Sequence, residues 1–144
     1  MVRIIVDSGS DLLPEVAKER GIEVLPLLAN VDGTEYRDGI DLGRDAFYEL
    51  LEETGSFPKT SQVSPHTFAE AFREAREAGD EVVALTLSSA LSGTYQSAKL
   101  AQAMVGGRGH LRNRFPFRYL RDCACCRVCL RIARRRAFNE ADRL

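Results

Sequence analysis

The chain repeats one local pattern: a short, branched apolar run gives way to a hydroxyl-rich loop and then to helical periodicity. The first instance is "VRIIV" at residues 2–6, running into "DSGSD". The second is "EVVALTL" at residues 81–87, running into "SSALSGT". Short apolar runs without polar alternation read as strands buried on both faces, and strands alternating with helices argue for a mainly parallel sheet covered by helices on both faces. In such α/β sheets the loops beyond the strands' carboxyl ends are where ligands sit. Both hydroxyl loops occupy that kind of position.

The remaining elements follow from stop and start signals. After the first strand a helix is expected to start near Ser10 or Asp11, with Pro14 in its first turn and Gly21 as its left-handed stop. "EVLPLLANV" at residues 23–31 reads as the second strand. Asp32-Gly33 after it fits a tight hairpin with a short return through residues 34–36. Asp41 is expected to cap a helix running to about residue 53, with Phe47, Leu50 and Leu51 on one face and Gly55 at its end. Ser64-Pro65 fits an N-cap and first helical position, Phe68, Phe72 and Ala75 form the buried stripe, and Gly79 closes the helix.

Composition divides the chain after Val105. Residues 1–105 carry 9 Lys and Arg against 18 Asp and Glu, a formal charge of −9. Residues 106–144 carry 11 Arg, no Lys and three acids, a formal +8, so the overall −1 hides a strong asymmetry. All four cysteines, Cys123, Cys125, Cys126 and Cys129, lie in the second part. With 44% hydrophobic and 28% charged residues the chain has the make-up of a soluble globular protein. No apolar run reaches the ~20 residues of a membrane-spanning helix, and the polar turn soon after residue 6 does not suit a signal peptide, so the expectation is a cytoplasmic protein with no transmembrane segment.

The stretch "LSSALSGTYQSAKLAQAM" sets Ser88, Ser89, Ser92, Thr94 and Ser97 around Gly93 at a helix start. Helix amino termini offer unpaired N–H groups and partial positive charge, which suits carboxylate or phosphate. The plainer alternative is that Ser92 or Thr94 caps its own helix. Other chemistries fit poorly. No G-x-x-x-x-G-K-[ST] is present, and "GGRGHL" lacks the last glycine of G-x-G-x-x-G. A serine hydrolase would need G-x-S-x-G and an activating histidine; only His66 and His110 exist, and His66 falls in the first turn of a helix. Asp32, Glu35, Asp38 and Asp41 miss the spacing of a calcium loop and read as a solvated acidic edge.

Taken in order, "IIVDSGSDL", "GIEVLPL", "YRDGIDL", "FYELL", "KTSQVSPHTFAEAF" and "LTLSSALSGTYQSAKLAQAM" resemble the amino-terminal half of the DegV family over residues 3–105. The resemblance implies a two-lobed α/β protein that binds a long-chain fatty acid such as palmitate between its lobes, with no chemistry and no cofactor of its own. It also implies a partner, a fatty acid kinase that converts the presented acyl carboxylate to acyl phosphate for phospholipid synthesis. Matched by motif, the Thr of T-S-Q is Thr60 and the Ser of S-G-T is Ser92, the two hydroxyls expected to hold the carboxylate. Ser61, Gly93 and Thr94 are expected as neighbours that add donors. "DSGSD" departs from the family's D-S-T-S/A-D by Gly9 at its third place. Asp7 and Ser8 are then structural, tying loop to loop, with a place at the pocket edge left open.

Beyond Val105 the resemblance ends, and the second lobe that it implies is missing. Arginine, cysteine, glycine and alanine without lysine are what a GC-rich gene yields in the wrong frame. The expectation is therefore an amino-terminal lobe at residues 1–105 and an out-of-frame tail at 106–144, poorly ordered or helical. Fatty acid binding is expected to be impaired as a consequence. The alternative is a metal-binding or redox module on the tail, where Cys123, Cys126 and Cys129 match C-x2-C-x2-C and Cys125 offers a fourth thiolate. The expected fourth ligand of the C-x3-C step is absent, Ala133 standing in its place, and no metal is expected to bind. Clustered arginine can attract nucleic acid without sequence preference, but no recognised motif accompanies it and no nucleic-acid partner is expected.

Overall fold

A computed structural model of the chain describes residues 1–106. The expected tail beyond Gly106, with its four cysteines and all eleven of its arginines, lies outside the described residues. The elements run β1 (Val2–Asp7), a 3-10 turn (Ser8–Ser10), α1 (Pro14–Glu19), β2 (Ile22–Leu25), β3 (Leu28–Val31), β4 (Thr34–Arg37) and α2 (Arg44–Thr54). Then follow β5 (Lys59–Ser61), α3 (Pro65–Glu77), β6 (Glu81–Leu85) and α4 (Thr94–Val105).

The expected parallel sheet is present, with order β2-β1-β6 and β1 at its centre. Ile4 pairs with Ile22 on one side and Val83 on the other. The alternation of side chains along β1 then assigns its two faces. Ile5, wholly buried, packs with Phe68, Phe72, Ala98 and Ala101 of α3 and α4. Ile4 and Val6 face the other way and pack with Ala17 of α1 and Ile22. Helices thus cover both faces, as the consecutive apolar residues Ile4, Ile5 and Val6 of a central strand demand. Phe68 and Phe72 stack at 5.7 Å between ring centroids, and Arg76 Nη1 donates to the Val105 carbonyl at 2.6 Å, joining the ends of α3 and α4.

A second sheet, antiparallel with order β4-β3-β5, was not expected. The run at residues 23–31 is two strands, not one. Pro26 supplies no N–H to a ladder, and the chain leaves the parallel sheet there. The Leu27 N–H is instead donated to Ser8 Oγ at 3.0 Å. Beyond it, β3 and β4 form the expected hairpin, with Asp32 at φ +50° and Gly33 at φ +83°, the left-handed pair that a two-residue turn requires.

Two helix starts differ from expectation. The first helix begins at Pro14, not at Ser10 or Asp11, because the residue before a proline is held extended. Leu13 has φ −62° and ψ 138°, and Asp11 is left-handed at φ +53°. Asp41 does not cap α2, whose N-cap is Gly43. Asp41 instead accepts from Arg37 Nε at 2.8 Å, Arg37 Nη2 at 2.7 Å and the Arg37 backbone N–H at 2.8 Å. These donors pull its carboxyl down to about 2. By contrast, Ser64 caps α3 as expected, accepting from the Thr67 N–H at 3.1 Å. The apolar stripe of α2, Phe47, Leu50 and Leu51, is only half-buried.

Candidate hydroxyl site at the sheet's carboxyl end

β1 and β6 run parallel, so their following loops emerge together. Asp7, at the end of β1, is 2% exposed, and its Oδ2 accepts the Leu87 N–H at 2.6 Å. The Gly9 N–H is a second donor to the same carboxylate. Burial pushes the Asp7 carboxyl up, and the two backbone donors oppose that shift. Asp7 and Ser8 therefore tie loop to loop: Asp7 holds the segment after β6, and Ser8 holds Leu27. Gly9 fits tightly, since a Cβ there would lie 2.8 Å from Leu87 Cδ1 and 3.1 Å from Asp7 Oδ1. Among the described residues, Ser10 Oγ is buried without a hydrogen-bond partner.

The loop after β6 folds back at Ser88, whose carbonyl accepts from Leu91 N at 2.9 Å and Ser92 N at 3.0 Å. Gly93 is the N-cap residue of α4 and makes no side-chain cap. Ser92 supplies part of that function: its Oγ accepts the Thr94 N–H at 3.2 Å and lies 2.9 Å from Thr94 Oγ1. The capping alternative is thus present together with a paired hydroxyl cluster. Thr94 is fully buried and Ser92 half-buried.

Thr60 and Ser61 lie on the edge strand β5, opposite Ala29 and Leu28 of β3, and both are exposed. Among the described residues no hydrogen bond joins either of them to the turn at Ser92, Gly93 and Thr94. The connection runs through the next residue, Gln62. Its Nε2 donates to Ser97 Oγ at 3.1 Å, and its amide lies against Gly93 so closely that a Cβ there would collide with Oε1 and sit 2.8 Å from Cδ. Gln62 was absent from the residues expected to form the site, and Ser97 was named only as one of the five hydroxyls around Gly93. The signal was in T-S-Q itself, whose third residue has a side chain long enough to cross to the next segment. Among the described residues no group of His, Cys, Asp or Glu is placed to hold a metal ion, and no helix is long and apolar enough to cross a membrane.

Comparison with known proteins bears on the family and the fold. The family model described as "Uncharacterised protein, DegV family" matches residues 1–113. A DegV domain-containing protein of Caldanaerobacter subterraneus is 45% identical over 104 residues, covering 72% of this chain and 37% of the relative. A stearic acid-binding protein from Eubacterium ventriosum is similar in structure with a TM-score of 0.69 and 38% identity, covering 73% of this chain and 36% of its own. The structure of a DegV family protein from Thermus thermophilus, described by its fatty acid binding, matches with a TM-score of 0.68 and 39% identity, covering 78% of this chain and 40% of its own. The chain spans little more than a third of the length of the relatives it matches. On these matches, and on the motifs at Asp7, Thr60 and Ser92, the chain belongs to the DegV family.

Proposed function

We propose that the chain contributes a carboxylate-holding lobe to fatty acid binding, with Thr60 and Ser92 as the hydroxyls that receive the head group. Ser61, Gly93 and Thr94 add backbone and side-chain donors beside them. The observation that carries this reading is the hydroxyl pair of Ser92 and Thr94, 2.9 Å apart at the start of α4, in a family whose solved members are described as binding fatty acids. A carboxylate held by several neutral donors is stabilised without a permanent counter-charge, so it stays available to a second protein. The role is that of a carrier, not an enzyme. A fatty acid kinase would transfer a phosphoryl group from a nucleoside triphosphate to the presented carboxylate oxygen, releasing the nucleoside diphosphate and acyl phosphate.

A short acid isolates the head-group contribution from the acyl tunnel. Octanoate titrated into the full 144-residue chain is expected to shift the amide resonances of Thr60, Ser61, Gly93 and Thr94. Thr60→Ala and Ser92→Ala should each remove most of the shift. Octanol producing the same pattern as octanoate would show that the segment recognises apolar chain and not carboxylate, and the reading would fail.

A further inference from the structure

We propose that Gln62 is a positioning residue that fixes the Thr60–Ser61 segment against the Ser92–Thr94 turn. It rests on the head-group reading above. Two contacts of the Gln62 amide support it. Gln62 Nε2 is a hydrogen-bond donor to Ser97 Oγ at 3.1 Å, and Ser97 is 1% exposed on the first turns of α4. The same amide fills the space where a side chain at Gly93 would begin, with Cδ only 2.8 Å from an ideal Cβ.

The consequence concerns Gly93. Its φ of −72° is open to any residue, so backbone freedom does not require glycine here. A Cβ at Gly93 would instead displace the amide of Gln62 from its place beside Ser97. Gly93 and Gln62 are therefore one device: the missing Cβ admits the amide, and the amide spans from the end of β5 to α4. Thr60 is two residues from Gln62 and Ser92 is adjacent to Gly93, so the device sets the separation of the two head-group hydroxyls. Ser97 is the anchor, and its own hydroxyl is satisfied by the same amide.

The test is a double-mutant cycle on octanoate affinity, with octanol as the neutral probe, in the full chain. Gln62→Ala should weaken octanoate binding about tenfold, as loss of one well-placed polar contact does. Gly93→Ala should weaken it similarly, because its Cβ pushes the same amide away. The double variant should be no worse than either single one, since each change removes the same contact. Octanol binding should stay unchanged throughout, which a general loss of structure would not allow. Additive losses in the double variant, or equal losses for octanol, overturn the proposal. If Gln62→Ala binds octanoate as the wild type does, the proposal alone is wrong. If the wild type shows no carboxylate-dependent shift, the head-group reading fails first and this inference falls with it.

Discussion

Removing the Asp7 carboxylate tests the clamp that aligns the two hydroxyl loops. In Asp7→Ala the Leu87 N–H, bound at 2.6 Å, and the Gly9 N–H both lose their acceptor. An abandoned donor costs about 1–3 kcal/mol when buried, and Leu87 and Gly9 are only half-buried, which puts each near the lower end. Asp7 is 2% exposed, so its deletion also leaves a small void, while relief of the buried charge offsets part of the loss. The net expectation is about 2–3 kcal/mol of destabilisation, or a fall in Tm of roughly 8–12 °C for a domain of this size. Urea unfolding and calorimetry measure it. The pH dependence is the sharper part. Burial raises the folded-state pKa of Asp7 above its ordinary 3.8, so between those two values the folded chain binds the extra proton. Stability from this group is then lost as pH rises through that window and regained as pH falls. Asp7→Asn cannot titrate, so wild-type stability minus that of Asp7→Asn should decrease from pH 4 towards pH 7. A difference that is flat, or that grows with pH, would refute the claim that desolvation dominates at Asp7.

Gly9→Thr drives a Cβ into Leu87 Cδ1, and should destabilise by about 1–3 kcal/mol in urea melts. Leu87→Ala in the same chain should recover part of that loss, and no recovery would mean that the collision lies elsewhere. Phe68→Ala empties a wholly buried position in the cluster shared with Ile5 and Ala98 and should cost about 3–5 kcal/mol, read as a fall in the urea midpoint. Each buried acyl methylene contributes ~0.8 kcal/mol, and this chain spans little more than a third of its relatives. Palmitate should therefore wash out during gel filtration, whereas retention of one equivalent would show that the chain encloses the acyl tail unaided.

Sequence alone determined the parallel sheet and its helices, because consecutive apolar residues such as Ile4, Ile5 and Val6 of β1 must be covered on both faces. It determined the Asp32-Gly33 hairpin and the Ser64 cap as well, since both depend on residues adjacent in the chain. Thr60 and Ser92, the proposed head-group hydroxyls, were nominated through the resemblance of T-S-Q and S-G-T to family motifs. Tertiary structure decided what depends on partners far away in sequence. The split of the second strand at Pro26 rests on Ser8 receiving Leu27, and the clamp at Asp7 rests on Leu87, 80 residues on. Asp41 has the residue type of a helix cap, but Arg37 competes for it with three donors and wins. Gln62 and Gly93 are ordinary residues in the sequence. Only folding, by laying the end of β5 beside the start of α4, puts the amide of the one in the space that a side chain on the other would enter.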